Sequence, residues 1–161
     1  MDKDLVIEKI FDAPVEKVWD AWTNPETLKK WWGPKDFTAP DVNVDFQVGG
    51  KYLLSMAGEV PGIGPVKAWS TGVYKEIIPM KKIVVTDSFS DENGNIVPAT
   101  SVGLSEGWPM EIDITMLFEA QGDKTKFTLR YPALKSISEQ DASNMDIGWN
   151  QSLDKLAKAL A

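Results

Sequence analysis

The sequence predicts an α+β fold in which a curved antiparallel sheet of about six to seven strands wraps around a long C-terminal helix, with two short helices after the first strand. Three observations predict it. From Ser138 to Ala161 the apolar residues Ala142, Met145, Trp149, Leu153, Leu156 and Leu160 recur in steps of three and four, one stripe of a helix. From Asp41 to Tyr131 most of the apolar residues recur with a period of two, the mark of strands with one dry and one wet face. Short Gly-, Pro- and Asn-containing connections between these stretches make neighbouring strands antiparallel. A sheet with one dry face needs a cover, and only the last helix is long enough to supply it.

Leu5 to Phe11 is the first strand, ended by Asp12-Ala13-Pro14. Behind Pro14, the residues Val15, Val18, Trp19 and Trp22 keep the spacing of an amphipathic helix. Asn24-Pro25 restarts that pattern as a second helix, Pro25 to Trp32, which turns Leu28, Trp31 and Trp32 inward before Gly33-Pro34 stops it. Val42, Val44, Phe46 and Val48 alternate with polar residues up to the turn at Gly49-Gly50, and Tyr52, Leu54 and Met56 continue in a partner strand. Gly58 to Pro65 reads as loop. Val66 to Ile78 is a strand with Trp69, Val73 and Ile77 on one face and Tyr74 out of step, and Pro79-Met80-Lys81 turns it into Ile83 to Phe89. Ser90 to Pro109 lacks periodicity and reads as a lid. Met110, Ile112, Ile114, Met116 and Phe118 form the dry side of the next strand, and after Gln121-Gly122-Asp123 the residues Phe127, Leu129 and Tyr131 form that of the last. Ser138, three residues before Asp141, caps the long helix, and Lys155 and Lys158 suit its negative end. Gly148 interrupts this helix beside Trp149 and predicts a bulky group packed close by.

Composition bounds the function. The chain has 161 residues, read as a single domain over 1–161, and its 17 basic against 24 acidic residues give a net charge of −7 that disfavours a nucleic-acid partner. There is no Cys and no His, so disulfides, thiol nucleophiles, the commonest general base and the commonest zinc ligand are all absent. No catalytic set, metal site or cofactor is expected. The charged N-terminal stretch and the lack of a long apolar run predict a cytoplasmic protein without a membrane partner, as a monomer or weak homodimer.

Phe11-Asp12-Ala13-Pro14, the run Val18-Trp19-Asp20-Ala21-Trp22-Thr23-Asn24-Pro25-Glu26, Trp31-Trp32-Gly33-Pro34, Gly49-Gly50-Lys51 and Gly148-Trp149 resemble the heat-shock ATPase activator homologue group. This group is part of the SRPBCC, or START-like, superfamily. The resemblance implies a helix-grip fold over nearly the whole chain and, as in lipid-transfer domains, pollen-allergen-like binders and polyketide aromatase/cyclases, a cavity between sheet and long helix. Shared fold does not carry chemistry.

The expected ligand is therefore a small hydrophobic molecule, aromatic or lipid-like. Its wall is read as Trp32, Phe37, Trp69, Trp108 and Trp149, which can stack on a flat molecule, with Met56, Met110, Met116 and Met145 as an adaptable surface. Tyr52, Leu54, Val85, Phe89, Ile112, Ile114 and Gly148 complete it, and Asp87 is an acid on the dry face. Trp19, Trp22 and Trp31 are read as core. Polyketide cyclase-like catalysis through Asp87, Tyr52 or Tyr74 is the alternative, and a co-chaperone-type interaction module the weaker one. Gly62-Ile63-Gly64 lacks the strand-to-helix setting of a phosphate loop, and Asp91, Glu92, Asn93 and Asn95 lack calcium-loop spacing.

Overall fold

The computed structural model describes residues 3–104 and 106–161. Met1 and Asp2, part of the charged N-terminal stretch, and Ser105, within the loop read as a lid, lie outside the described residues. The chain runs β1 (Leu5–Phe11), α1 (Val15–Thr23), α2 (Pro25–Leu28), β2 (Val42–Val44), β3 (Lys51–Val60), β4 (Gly64–Ile78), β5 (Lys82–Ser90), β6 (Ile112–Gln121), β7 (Lys124–Tyr131) and α3 (Glu139–Leu160). The strands form one seven-stranded antiparallel sheet in the order β1-β7-β6-β5-β4-β3-β2. With α3 as its cover, this is the helix-grip fold.

Alternation places the core as the sequence predicts. Ile83 and Val85 of β5, Ile112, Ile114, Met116 and Phe118 of β6, and Phe127, Leu129 and Tyr131 of β7 are all buried. Trp19, Trp22 and Trp31 are core residues, with the Trp22 ring 4.7 Å from Trp31 and stacked 4.9 Å from Phe127. The predicted Ser138 cap forms, accepting from the Asp141 amide at 3.1 Å, and Asn24 caps α2 by accepting from the Glu26 amide at 3.1 Å.

The C-terminal half of α3 clamps this core. Leu153 and Leu156 are fully buried, each contributing about 1.5–3 kcal/mol of hydrophobic stabilisation. Lys17 donates to the Leu160 carbonyl at 3.1 Å, and Lys9 reaches Asp154. The N-terminal half is different: Ala142, Met145 and Trp149 are only partly buried, so here the helix stands off the sheet.

Five details depart from the sequence reading. Helix α2 ends at Leu28, and Trp31 and Trp32 follow in turns that return to the Leu28 carbonyl. Strand β2 ends at Val44, because the chain coils tightly from Asp45 to Gly50, where a Cβ on Gly50 would stand 2.0 Å from the Asp45 carbonyl; Val48 is thereby 63% exposed. Gly58 to Pro65 is no loop: β3 and β4 pair out to Val60 and Gly64, and left-handed Gly62 and Gly64 allow a tight reversal. One register holds in β4 from Trp69 to Tyr74, so Tyr74 shares the dry face with Val85 while Trp69 and Val73 point the other way, and a bulge between Tyr74 and Glu76 returns Ile77 to the dry face opposite Ile83. The loop after β5 contains a short 3-10 turn, Ala99–Val102, anchored by buried Ala99.

Among the described residues no helix is long and apolar enough to cross a membrane, and no group of three or more Asp or Glu is placed to hold a metal ion.

Candidate functional site

Where α3 stands off the sheet there is a cavity of about 310 Å³. Met56 of β3, Ser70 of β4, Phe89 of β5 and Ile112 of β6 form its floor; Trp69 borders it, but the register turns its ring to the other face of the sheet, under Lys67. Leu104, Trp108 and Pro109 of the loop before β6 close one side, with Trp108 packed 5.8 Å from Phe89, and Trp32, Gly33 and Pro34 close another. Met145, Gly148 and Trp149 of α3 form the roof. Gly148 has open space where a side chain would be: a Cβ there meets nothing within 4 Å. The bulky group expected beside it is absent, and the glycine helps keep the cavity empty of protein.

A smaller cavity of about 40 Å³ lies deeper, lined by Trp22, Tyr52, Leu54, Tyr74, Val85 and Ile114 among others. Trp32, Asp87 and Trp149 line both spaces and form the partition between them. Trp149 is fixed by its neighbours, 5.7 Å from Trp32, 5.9 Å from Tyr131 and stacked 6.4 Å from Trp22.

Asp87 is the polar centre. The Tyr52 hydroxyl donates to its Oδ1 at 2.7 Å and the Tyr131 hydroxyl to its Oδ2 at 3.2 Å. Asp87 is half-buried by surface area, and the area it retains faces the two cavities it lines. Burial raises its pKa above the ordinary carboxylate value, and the two phenol hydrogen bonds act against that rise by favouring the charged form. Both phenols are pushed well above the usual tyrosine range, first by burial and then by the Asp87 charge. They remain donors at any physiological pH. Gly72 makes room for this arrangement. A Cβ on Gly72 would lie 1.9 Å from the Thr86 carbonyl oxygen and 2.7 Å from the Tyr52 ring.

The sign of the Asp87 linkage follows from the direction of its shift. A carboxyl whose folded pKa exceeds the ordinary 3.8 binds its proton more tightly in the fold. Its contribution to stability is fully present below that pH and is lost as pH rises through the folded value. Wild type should therefore lose stability relative to Asp87→Asn as pH rises from 3.8, in urea unfolding at a series of pH values. A difference independent of pH contradicts the shift.

Two buried polar groups here lack a hydrogen-bond partner among the described residues: Ser88 Oγ, on a residue lining the larger cavity, and Trp22 Nε1, on one lining the smaller. Unless a small molecule or water satisfies them, each costs about 1–3 kcal/mol.

The rim is tied to α3 by Lys155. Its ammonium donates to the carbonyls of Phe37 at 2.7 Å, Gly33 at 3.1 Å, and Trp32 and Pro34 at 3.4 Å. Burial lowers its pKa, an effect opposed by the Asp36 charge. Lys155→Met removes the only ammonium donor to this carbonyl group among the described residues, and should lower the unfolding free energy by about 2 kcal/mol in urea titration. An unchanged midpoint would show the tether to be idle.

Of the residues read from the sequence, Trp32, Met56, Trp69, Asp87, Phe89, Trp108, Ile112, Met145, Gly148 and Trp149 line the larger cavity. Tyr52, Leu54, Val85 and Ile114 line the smaller. Two lie outside both. Met110 is 49% exposed because β6 begins two residues later, at Ile112. Phe37 instead packs on β3, its ring atoms standing 2.9 Å from where a Cβ on Gly58 would be. The sequence reading missed Tyr131, which shares a dry face with Phe127 and Leu129 but reaches Asp87 only across the sheet, and Ser88, one residue from Asp87.

The family model described as Activator of Hsp90 ATPase homolog 1-like protein matches residues 12–161. Among solved structures the chain is similar to a protein from Arthrobacter aurescens (25% identity, TM-score 0.78, covering 98% of this chain and 85% of that one). It is also similar to the AHSA1 protein SPO3351 from Silicibacter pomeroyi (21% identity, TM-score 0.72, 98% and 96%) and to DynU16, from the dynemicin biosynthetic locus (16% identity, TM-score 0.69, 99% and 48%). These likenesses are of fold. No curated protein matches the chain.

Proposed function

The chain belongs to the Activator of Hsp90 ATPase homolog 1-like family, and from that premise we propose that it binds a small, largely hydrophobic molecule in the cavity between sheet and α3. One observation carries this reading: an apolar space of about 310 Å³ with a buried, hydrogen-bonded carboxylate in its wall. Pockets for small ligands share this composition, mostly apolar with a few convergent polar groups, and begin near this size. The volume suits a molecule of one or two rings better than a long acyl chain. Aromatic walls at Trp32, Trp108 and Trp149 add offset stacking to simple burial.

Methyl NMR with 1-naphthol as probe tests the reading. Binding should move the resonances of Met56, Met145 and Ile112, which line the cavity, and leave exposed Ile63 and Val48 in place. Shifts confined to the exposed methyls would count against it.

A second reading, a cyclase-type enzyme, draws on Asp87, whose raised pKa and flanking phenols suit proton transfer, and on the fold likeness to a protein of a biosynthetic locus. It requires that turnover of a polyketide mimic be lost in Asp87→Asn and reduced in Tyr52→Phe and Tyr131→Phe. Turnover that survives all three changes removes these residues from the chemistry.

A further inference from the structure

The rim of the larger cavity holds the Lys155 ammonium, bound to four carbonyls, but the lining itself carries acids only. Its charged lining groups, among the described residues, are Asp87 and Asp141, both acids. No Lys or Arg forms an ion pair with Asp87 among the described residues; the basic side chains that do pair meet Glu8, Asp41, Glu76, Asp113 and Asp154 elsewhere. A buried carboxylate without a counter-charge is unusual, because its desolvation is ordinarily offset by a partner cation. Tyr52 and Tyr131 each occupy one acceptor position on a different oxygen. A carboxylate has about four such positions, so about two stay open.

The rest of the wall suits positive charge as well. Trp32, Trp108 and Trp149 line the space, and indole faces attract cations. The net charge of −7 adds a field of the same sign. A ligand carboxylate, such as that of a fatty acid, placed against Asp87 would meet a like charge.

Resting on the reading of this cavity as a ligand site, we infer that its ligand is a hydrophobic amine bound as the cation, with its ammonium group against the Asp87 carboxylate and its rings among the indoles. The amine donates to the open carboxylate positions and supplies the counter-charge the protein lacks. Charge is what separates it from neutral and anionic molecules of the same shape.

Calorimetric titration with three probes of matched shape tests this: 1-naphthylmethylamine, 1-naphthylmethanol and 1-naphthoate. The amine should bind about tenfold or more tightly than the alcohol, as expected of a charge-assisted hydrogen bond, and the naphthoate more weakly than either. Asp87→Asn should cost the amine about tenfold or more and the alcohol much less, closing the gap between them. Naphthoate binding as well as the amine, or amine affinity unmoved by Asp87→Asn, overturns the inference. If the alcohol binds and is lost in Gly148→Leu while the amine does no better, the inference fails and the cavity reading stands. If no probe binds, both fail. The comparison among probes on wild-type protein needs no variant, so it decides even if Asp87→Asn folds poorly.

Discussion

Gly148→Leu should abolish binding of 1-naphthylmethanol while leaving the protein at least as stable as wild type. A Cβ at this position meets nothing within 4 Å, so the new side chain enters open space rather than packed protein. That space is the larger cavity, for which Gly148 is part of the roof. Gly in a helix interior costs about 1 kcal/mol relative to Ala, and Leu is almost as good a helix former as Ala, so the substitution also favours α3. Loss of binding therefore cannot be ascribed to unfolding. Calorimetry should show no heat of binding and urea unfolding a midpoint equal to or above wild type. Retained affinity would mean that the molecule binds elsewhere.

Gly72→Ala should do the reverse, destabilising the fold by about 3 kcal/mol or more. Here the added methyl carbon would stand 1.9 Å from the Thr86 carbonyl oxygen, a backbone atom of the neighbouring strand that cannot swing aside. It would also press on the Tyr52 ring, 2.7 Å away, whose hydroxyl donates to Asp87. The sheet must open locally, and the donor on one side of the carboxylate is displaced with it. Urea unfolding of the two variants side by side should give shifts of opposite sign. A Gly72→Ala protein as stable as wild type would mean that β4 and β5 do not approach as closely as this geometry requires.

The elements that sequence reading located well are those held by a repeating face. The stripe from Ala142 to Leu160 and the dry sides of β6 and β7 each have several residues in register, so one exception does not hide the pattern. The same parity found Asp87 on β5. It failed at ends and irregularities. Met110 keeps the parity of Ile112 but precedes the first ladder pair, and Tyr74 and Ile77, three apart, share the dry face because a bulge absorbs an extra residue between them. Contacts between distant segments left no local trace. Tyr131 lies 44 residues from Asp87, and Lys155, which suits the negative end of α3, also reaches carbonyls more than 100 residues earlier. Their positions depend on how the sheet curls and where the chain turns at Gly33. No spacing in the sequence encodes either.

The central claim is that the space under α3 is a binding site. Native mass spectrometry of wild type and Gly148→Leu, both purified from the protein's own host, tests it most directly when native and denatured masses are compared. The account predicts a small-molecule adduct on wild type, released on unfolding and absent from Gly148→Leu. An adduct retained equally by the variant, or wild type bare in every preparation, would contradict it.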